Sequence, residues 1–161
     1  MEKKDFYEYA KKCNLAIPPK SMEIEKMRDD RIRSAGAKMI EIANFIKDNS
    51  PLKMDFEVCL SQEFYKYDRN WANIFLPEQK IFIFICKDDF ERDVIFQIWR
   101  GKHILIFDED VDMDYVGSEI FRKMNEIKEM KELREAKEEK KRENTIKDNK
   151  KKTHRRHGRR F

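Results

Sequence analysis

The chain has 161 residues, of which 42% are charged and 40% are apolar. The charged fraction is far above the roughly 25% of an average globular domain, so much of the chain must be solvated surface. The 12 Phe and two Trp residues can supply a core and exclude wholesale disorder. No apolar run is long enough to span a bilayer, and the N-terminus lacks the apolar stretch of a secretion signal, so we expect a cytoplasmic protein without a membrane partner.

The positive charge is concentrated at the C-terminus. From residue 147 onward there are eight Lys or Arg residues and one acid, which leaves 28 basic and 31 acidic residues in the rest of the chain. The overall charge of +4 therefore comes from the tail, while the body carries a net charge of −3. This distribution predicts a basic arm rather than a basic groove across the whole fold.

The cysteines are three in number and far apart in sequence, at Cys13, Cys59 and Cys86. Their spacing fits neither a zinc site nor a disulfide framework, so we expect no metal, no disulfide and a reducing compartment. Cys59 and Cys86 lie in apolar, strand-like runs and are predicted to be buried thiols. With four Gly in the chain there is no Gly-rich phosphate loop, and we expect no cofactor.

The N-terminal third of the chain is predicted to be helical. A short helix over residues 5–13 is followed by a breaking segment, 16–19, that contains two prolines. Ser21 can cap a second helix that runs to about Asp48, because apolar residues recur there at spacings of three to five.

Three strands come next, over residues 54–60, 71–76 and 80–86. The third is apolar on both faces, as expected of a central strand that is covered by helices. A helix then runs from a cap at Asp88 or Asp89 to Arg100. Its predicted buried side consists of Phe90, Val94, Ile95 and Ile98, and Gly101 occupies the left-handed position beyond its end.

A fourth strand over residues 103–107 precedes a final helix that begins near residue 114. The apolar stripe of this helix ends at Leu133, and Glu–Lys pairs can extend it through the charged segment that follows. The predicted fold is α/β, with a small central sheet of about four strands flanked by helices and a long charged C-terminal helix. We divide the chain into an N-terminal helix and linker (1–20), an α/β domain (21–133), a charged helical extension (134–146) and a basic disordered tail (147–161).

Residues 72–110 carry the most specific pattern. Leu76-Pro77-Glu78, the strand 81–86, Glu91-Arg92-Asp93, Gly101 and the strand 104–107 follow one another in a characteristic order. This order resembles the very-short-patch-repair-like branch of the restriction-endonuclease superfamily, over roughly residues 35–130. The resemblance implies a restriction-endonuclease-like fold, whose cutting chemistry uses two acids on adjacent strands and a nearby Lys around Mg²⁺.

The resemblance also implies that the cutting centre is dismantled. Carried over by position, the first acid falls on Asn73, the second on Phe84 and the Lys on Cys86. An amide, a phenyl ring and a thiol are poor partners for Mg²⁺, and a phenyl group in the place of an acid predicts a position packed as core. The helical acid of the family falls on Glu41, which alone does not make a site.

Two acidic patterns leave alternatives open. Asp55 and Glu57 are two apart in a strand, so they should point the same way and could hold a metal, although an exposed strand face is the simpler interpretation. The acids from Asp108 to Asp114 are spaced as in a calcium loop, with Glu119 in the twelfth place. Met113 stands where that loop needs Gly, and a strand precedes it instead of a helix.

Two segments are predicted to bind nucleic acid. A loop mixes aromatic and basic groups at Tyr65, Lys66, Tyr67 and Arg69, which can stack on bases and pair with phosphates. Trp71 and Trp99 are predicted to be core residues instead. The dense cations of the tail can neutralise phosphates and release counterions. The tail residues assigned to this role are Lys150, Lys151, Lys152, Arg155, Arg156, Arg159 and Arg160.

The leading hypothesis is therefore a pseudoenzyme that binds DNA or RNA on a catalytically inactive, nuclease-like fold, with phosphate affinity supplied by the tail. The first alternative is a small phage or mobile-element protein that binds and inhibits another protein, which the mildly acidic body and the Glu/Lys-rich segment 125–142 would suit. The second is an active metal-dependent nuclease with relocated acids at Asp55, Glu57 and Glu41.

Overall fold

The computed structural model of the chain describes residues 1–158, with side chains as far as residue 150. The described chain is a mixed α/β structure, as the sequence predicts. Its helices are α1 (Lys3–Cys13), α2 (Met22–Arg33), α3 (Ala37–Asn49), α4 (Asp89–Ile98) and α5 (Met113–Gly158). Its strands are β1 (Asp55–Cys59), β2 (Trp71–Leu76), β3 (Ile81–Cys86) and β4 (His103–Asp108). Two short 3₁₀ helices, Gln62–Phe64 and Asp68–Asn70, lie in the loop between β1 and β2.

The four strands form one sheet in the order β1-β2-β3-β4, so each strand pairs only with its neighbours in the chain. β1 and β2 are antiparallel, as are β2 and β3, whereas β3 and β4 are parallel. The parallel pair requires a crossover connection, and α4 provides it.

The pairing between β2 and β3 is shorter than the pairing on either side of it. β1 and β2 pair as far as Cys59 with Trp71, and β3 and β4 pair as far as Cys86 with Asp108, but the β2–β3 ladder ends at Ile74 with Ile83. Beyond that point the two strands are joined by a side chain in place of a backbone carbonyl group. Asn73 Oδ1 accepts a hydrogen bond from the Ile85 amide at 2.9 Å. We call this division of the sheet the fork.

Helices pack on the sheet through two sets of apolar contacts. α1 and α2 contact β1, and α3 contacts β2; the ring of Phe6 meets that of Phe56 edge-on, with centroids 5.0 Å apart. α4 places Ile95 and Trp99 against Phe84, Cys86 and Ala72 in a second cluster. The predictions that Phe84 and Cys86 are buried and that both tryptophans are core residues are confirmed.

Three local predictions about helix ends are also confirmed. Ser21 Oγ accepts a hydrogen bond from the amide of Ile24 at 3.2 Å, and Asp88 Oδ1 accepts one from Glu91 at 2.8 Å. Gly101, beyond the end of α4, has a φ of 86°, the left-handed conformation that favours glycine.

The single long helix predicted over residues 21–48 is wrong, because α2 ends at Arg33 and α3 begins at Ala37. Ser34 is the last capping residue of α2, and Gly36 adopts an extended conformation, with ψ of 165°, as the residue preceding α3. Glycine is the weakest helix former after proline, so the chain breaks where it is found.

The predicted buried side of α4 is also wrong in part. Ile95 is buried, but Phe90 is 70% exposed, Ile98 is 36% exposed and Val94 is half-buried. Trp99, which follows the last residue of α4, is instead the fully buried residue of this contact with the sheet. Cys59, predicted to be buried, is half-buried because it ends the edge strand β1, where its Sγ lies 3.0 Å from the carbonyl oxygen of Ser61.

The chain divides into two compact units, Met1–Phe121 and Arg122–Phe161. The first unit holds α1 and every strand, so residues 1–20 are part of it. α5 continues into the second unit, where ion pairs such as Arg142 with Glu138, at 3.8 Å, lie one turn apart. In the tail segment 147–161 the backbone of α5 is helical to Gly158, and residues 159–161 lie outside the described residues, so the predicted disorder of the tail stays a prediction. No helix of the described residues has an apolar stretch long enough to cross a membrane.

Candidate functional site

A cleft of about 980 Å³ opens beside the fork in the first unit. Most of its lining comes from the α2–α3 region, the loop between β1 and β2, and the strand residues at the fork, and α4 and the turns that follow β3 and β4 complete it. The lining side chains with the most distinct chemistry are Arg31, Glu57, Tyr65, Lys66, Arg69 and Asn73.

A buried ion pair lies at the cleft wall. Arg31 Nε is 3.0 Å from Glu57 Oε2, and the same guanidinium donates from Nη1 to Asp68 in the β1–β2 loop. The guanidinium also lies over the ring of Trp71, 5.2 Å from its centroid. Arg31 therefore ties α2 to β1, to the loop and to the first residue of β2.

Glu57 has a conformation that few residues other than glycine adopt, with a φ of 51°. The strand register is the same on both sides of it, since Phe56 pairs with Ile74 and Val58 pairs with Ala72. The side chains of these two neighbours meet different helices, since Phe56 contacts Phe6 of α1 and Glu57 contacts Arg31 of α2. A residue with a left-handed φ thus lines the cleft with its carboxylate.

The prediction that Asp55 and Glu57 form an exposed strand face is wrong. Both are almost fully buried, Glu57 being 3% exposed, and they have separate partners. The carboxylate of Asp55 accepts a hydrogen bond from the Ala16 amide at 3.1 Å and does not line the cleft. Burial raises the pKa of both carboxyl groups. The positive charge of Arg28 lowers the pKa of Asp55 and that of Arg31 lowers the pKa of Glu57, but the effect of burial is the larger one.

The three positions that the resemblance identifies meet at the fork or close to it. Continuing the β2–β3 register by one residue places Asn73 opposite Phe84. The Asn73 amide donates to Glu57 Oε1 at 3.4 Å, and Phe84 packs edge-on against Trp99 with ring centroids 4.8 Å apart. Cys86 is buried, which raises the pKa of its thiol. Each of the three side chains therefore has a packing or hydrogen-bonding role.

The loop predicted to contact a partner contributes directly to the cleft. Tyr65, Lys66 and Arg69 line it, and Tyr67 is 64% exposed beside them. Lys66 lies 5.8 Å from the ring centroid of Tyr65, and Arg69 lies 5.9 Å from that of Phe90. The structure thus places three of the four predicted loop residues at the cleft, while Tyr67 is exposed to solvent in the same loop.

The tail residues are described less fully. Lys150 is exposed on α5. The side chains of Lys151, Lys152, Arg155 and Arg156 lie outside the described residues, as do Arg159 and Arg160 entirely.

Sequence reasoning missed the arginines of α2. Arg28 lies one turn from both Ile24 and Ile32, on the same stripe, which is the signal that it is buried. Its Nε donates to the carbonyl oxygen of Phe56 at 3.0 Å and its Nη1 to that of Ile17 at 3.0 Å. No comparable signal marks Arg31, because only the fold places Glu57 and Asp68 beside it.

The cleft has mixed charge. Its basic residues are Arg31, Lys38, Lys66, Arg69 and Lys87, and its acidic residues are Asp30, Glu41, Glu57, Asp68, Glu91 and Glu109. Some of these neutralise one another, as Lys38 does Glu41 at 3.0 Å. A run of phosphates would therefore meet repulsion as well as attraction within the cleft.

The acids proposed as metal ligands are not gathered at one point. Glu41 and Glu57 both line the cleft, but Asp55 does not. In the calcium-like segment, Asp108 pairs with Arg92 at 2.6 Å and Asp112 accepts a hydrogen bond from Tyr115 at the start of α5. Among the described residues, no group of three or more His, Cys, Asp and Glu side chains is arranged to hold a metal ion.

Comparisons of this chain with protein-family models, with curated proteins and with solved structures gave no match. The resemblance to the very-short-patch-repair-like nucleases therefore stays a hypothesis that depends on the residues quoted for it.

Proposed function

We propose that the protein binds nucleic acid and does not cut it. The observation that carries the proposal is the position of the loop at 65–69, which mixes aromatic and basic side chains and forms one edge of the cleft beside the fork. Aromatic rings and cations in one exposed loop are the side chains that contact bases and phosphates. The eight cations from residue 147 onward add an electrostatic attraction for any phosphate backbone.

The state of the fork supports binding without cutting. Both carboxylate oxygens of Glu57 have partners, one in Arg31 and the other in Asn73. A carboxylate that holds Mg²⁺ needs a free oxygen and a second anion close by. The position that would supply the second anion holds Phe84, which is packed against Trp99.

The role of the tail is tested with two variants of the full chain. In one, the eight Lys and Arg residues from 147 onward become Gln; in the other, the four lysines among them become Arg, which keeps the charge. The slope of log affinity against log salt scales with the number of neutralised phosphates, about 0.9 per contact on duplex DNA. The Gln variant should therefore bind more weakly and with a flatter slope, and the Arg variant should match wild type. Equal affinity and slope in all three proteins would contradict the role of the tail.

A second candidate function is binding to another protein. The observation that favours it is the outer surface of α4, where Phe90 is 70% and Phe96 is 53% exposed. A pull-down that recovers one stoichiometric protein, unaffected by nuclease treatment and by loss of the tail charges, would favour this candidate over nucleic-acid binding.

A further inference from the structure

Both tryptophans of the protein hold the same loop. Trp71 Nε1 donates to the carbonyl oxygen of Tyr65 at 2.8 Å, and Trp99 Nε1 donates to that of Arg69 at 2.8 Å. Trp99 is fully buried and Trp71 nearly so, so their indole groups are fixed by the core. The two hydrogen bonds fix the two ends of the segment 65–69.

Further contacts hold the middle and the base of this loop. Arg31, itself paired with the buried Glu57, donates to Asp68. The Leu60 amide donates to the Asn70 carbonyl oxygen at 2.7 Å and closes the loop at its base. Loops on protein surfaces are usually the more mobile parts of a fold, whereas this one is anchored by core side chains at several points. A loop that is ordered before binding loses less conformational entropy when a ligand binds to it.

The ordered loop presents aromatic rings to solvent. Tyr67 is 64% exposed and lies with its ring centroid 6.2 Å from that of Phe64, which is half exposed. Phe90, near the start of α4, is 70% exposed, and its ring centroid lies 5.9 Å from the Arg69 guanidinium. Exposed rings cost free energy in water, so the Phe64–Tyr67 pair of this loop, together with Phe90 beside Arg69, indicates a contact surface.

The mixed charge of the neighbouring cleft limits what this surface can bind. Six acidic residues offset its five basic ones, so the affinity gained here must come from contacts with rings and hydrogen-bonding groups more than from phosphate charge. Unpaired bases offer such contacts, because every base has a face that stacks on an aromatic ring or on an Arg guanidinium. The bases of a duplex are already stacked on one another and are not accessible in this way.

We infer that Phe64, Tyr67, Arg69 and Phe90 form a preordered stacking surface for unpaired bases, so that the ligand is single-stranded nucleic acid. This inference rests on the proposed function and specifies its ligand. The contribution of the three rings to affinity is independent of salt, in contrast to that of the tail.

The test is fluorescence anisotropy on the full-length protein, using a labelled 20-nucleotide strand without secondary structure, as DNA and as RNA, and a blunt duplex of the same length. Binding is measured at several salt concentrations for wild type, Tyr67→Ala and Phe90→Ala. The matched control is Phe96→Ala, which removes a ring of similar exposure from the same helix as Phe90. All three truncations remove exposed side chains, and a thermal melt checks that each variant is folded.

Wild type should prefer the single strand, and the Tyr67 and Phe90 variants should each lose about 5- to 100-fold in affinity for it, the range measured for one stacked base. Their salt slopes should equal that of wild type, and Phe96→Ala should bind like wild type. Equal binding of duplex and single strand, with no loss in either variant, would overturn the inference while leaving nucleic-acid binding in place. No binding of either ligand by wild type would overturn both.

Discussion

Glu57 combines two costs at one residue, a left-handed backbone and a buried carboxylate. A non-glycine residue in that conformation costs on the order of 1–3 kcal/mol and persists only where its surroundings enforce it. Here the surroundings do so, because Arg31 and Asn73 each bind one oxygen of the carboxylate. The arrangement gives the cleft a fixed polar wall and makes the stability of the fold depend on the charge of Glu57.

The free energy of unfolding should therefore respond to pH through Glu57. Burial raises the folded-state pKa of its carboxyl above the unfolded value of about 4.3. Between those two pKa values the folded chain binds more protons than the unfolded chain, so stability falls as pH rises through that window. Urea denaturation from pH 4 to 8 should show a smaller fall in Glu57→Gln than in wild type. Glu63→Gln, at an exposed position, is the control and should follow wild type; parallel curves for all three proteins would contradict the prediction.

Phe84 offers a second test at the level of one residue. Phe84 is a buried residue of β3 that packs against Trp99, so Phe84→Glu would place a carboxylate in the core without a partner. We expect a loss of roughly 3–5 kcal/mol in the free energy of unfolding, measured by denaturant titration. Phe96→Glu makes the same change at an exposed position and should cost little. A folded Phe84→Glu variant with the stability of Phe96→Glu would show that the position is open to solvent.

Phe84 and Glu57 show how much of the structure could be predicted from the sequence. The run 81–86 is apolar at every position, which is sufficient to predict a buried strand and with it the burial of Phe84. In β1 the prediction depended on the spacing of Asp55 and Glu57, which favoured one exposed face, whereas both residues are buried and Glu57 has a left-handed φ. Nothing in the sequence of β1 indicates that φ, because the residue is a glutamate and not a glycine.

Among the elements, the break between α2 and α3 shows a similar limit. The buried residues of α2, such as Ile24 and Ile32, and those of α3, such as Ile42 and Ile46, keep the same helical phase across the interruption. An apolar stripe that continues in phase looks like one helix, so periodicity cannot reveal the break. Gly36, a poor helix former, was the residue in the sequence that could have indicated the break. The cleft depends on this break, since residues 34–39 form part of its lining.

The end of α4 gives a prediction for an element. Gly101 has a φ of 86°, and no atom lies within 4 Å of the place that a Cβ would occupy. Gly101→Ala should therefore cost about 1 kcal/mol, from backbone conformation alone. Gly101→Asn should cost less, because asparagine tolerates the left-handed region better than alanine. Thermal melts of both variants measure the difference, and equal stability of the two would show that the cost has another origin.

At the scale of the whole molecule, the fork predicts the catalytic outcome. We expect no cleavage of DNA or RNA with Mg²⁺ or Mn²⁺, because Glu57 is engaged by Arg31 and Asn73 and because Asp55 lies outside the cleft. Without two anions on one metal, both the activation of water and the stabilisation of charge in the transition state are lost.

The control for this experiment is mutagenesis of the remaining acids. Metal-dependent cleavage by wild type that disappears in Glu57→Ala or Glu41→Ala would identify a nuclease that uses the cleft. Cleavage that disappears in Asp55→Ala, with the variant still folded, would place the site outside the cleft. Cleavage that survives all three changes would point to a contaminating enzyme, and a second purification would test this.

The strand order has a consequence for how the chain folds. Because β1, β2, β3 and β4 each pair with the strand before or after them in sequence, no pairing has to wait for a distant segment. Short loops are closed at little entropic cost, and folds rich in contacts between nearby residues form quickly. Synthesis proceeds from the N-terminus, so the whole sheet is available before residues 122–158 have been added. We therefore expect the sheet to assemble during translation, while the C-terminal part of α5 is still in the ribosome.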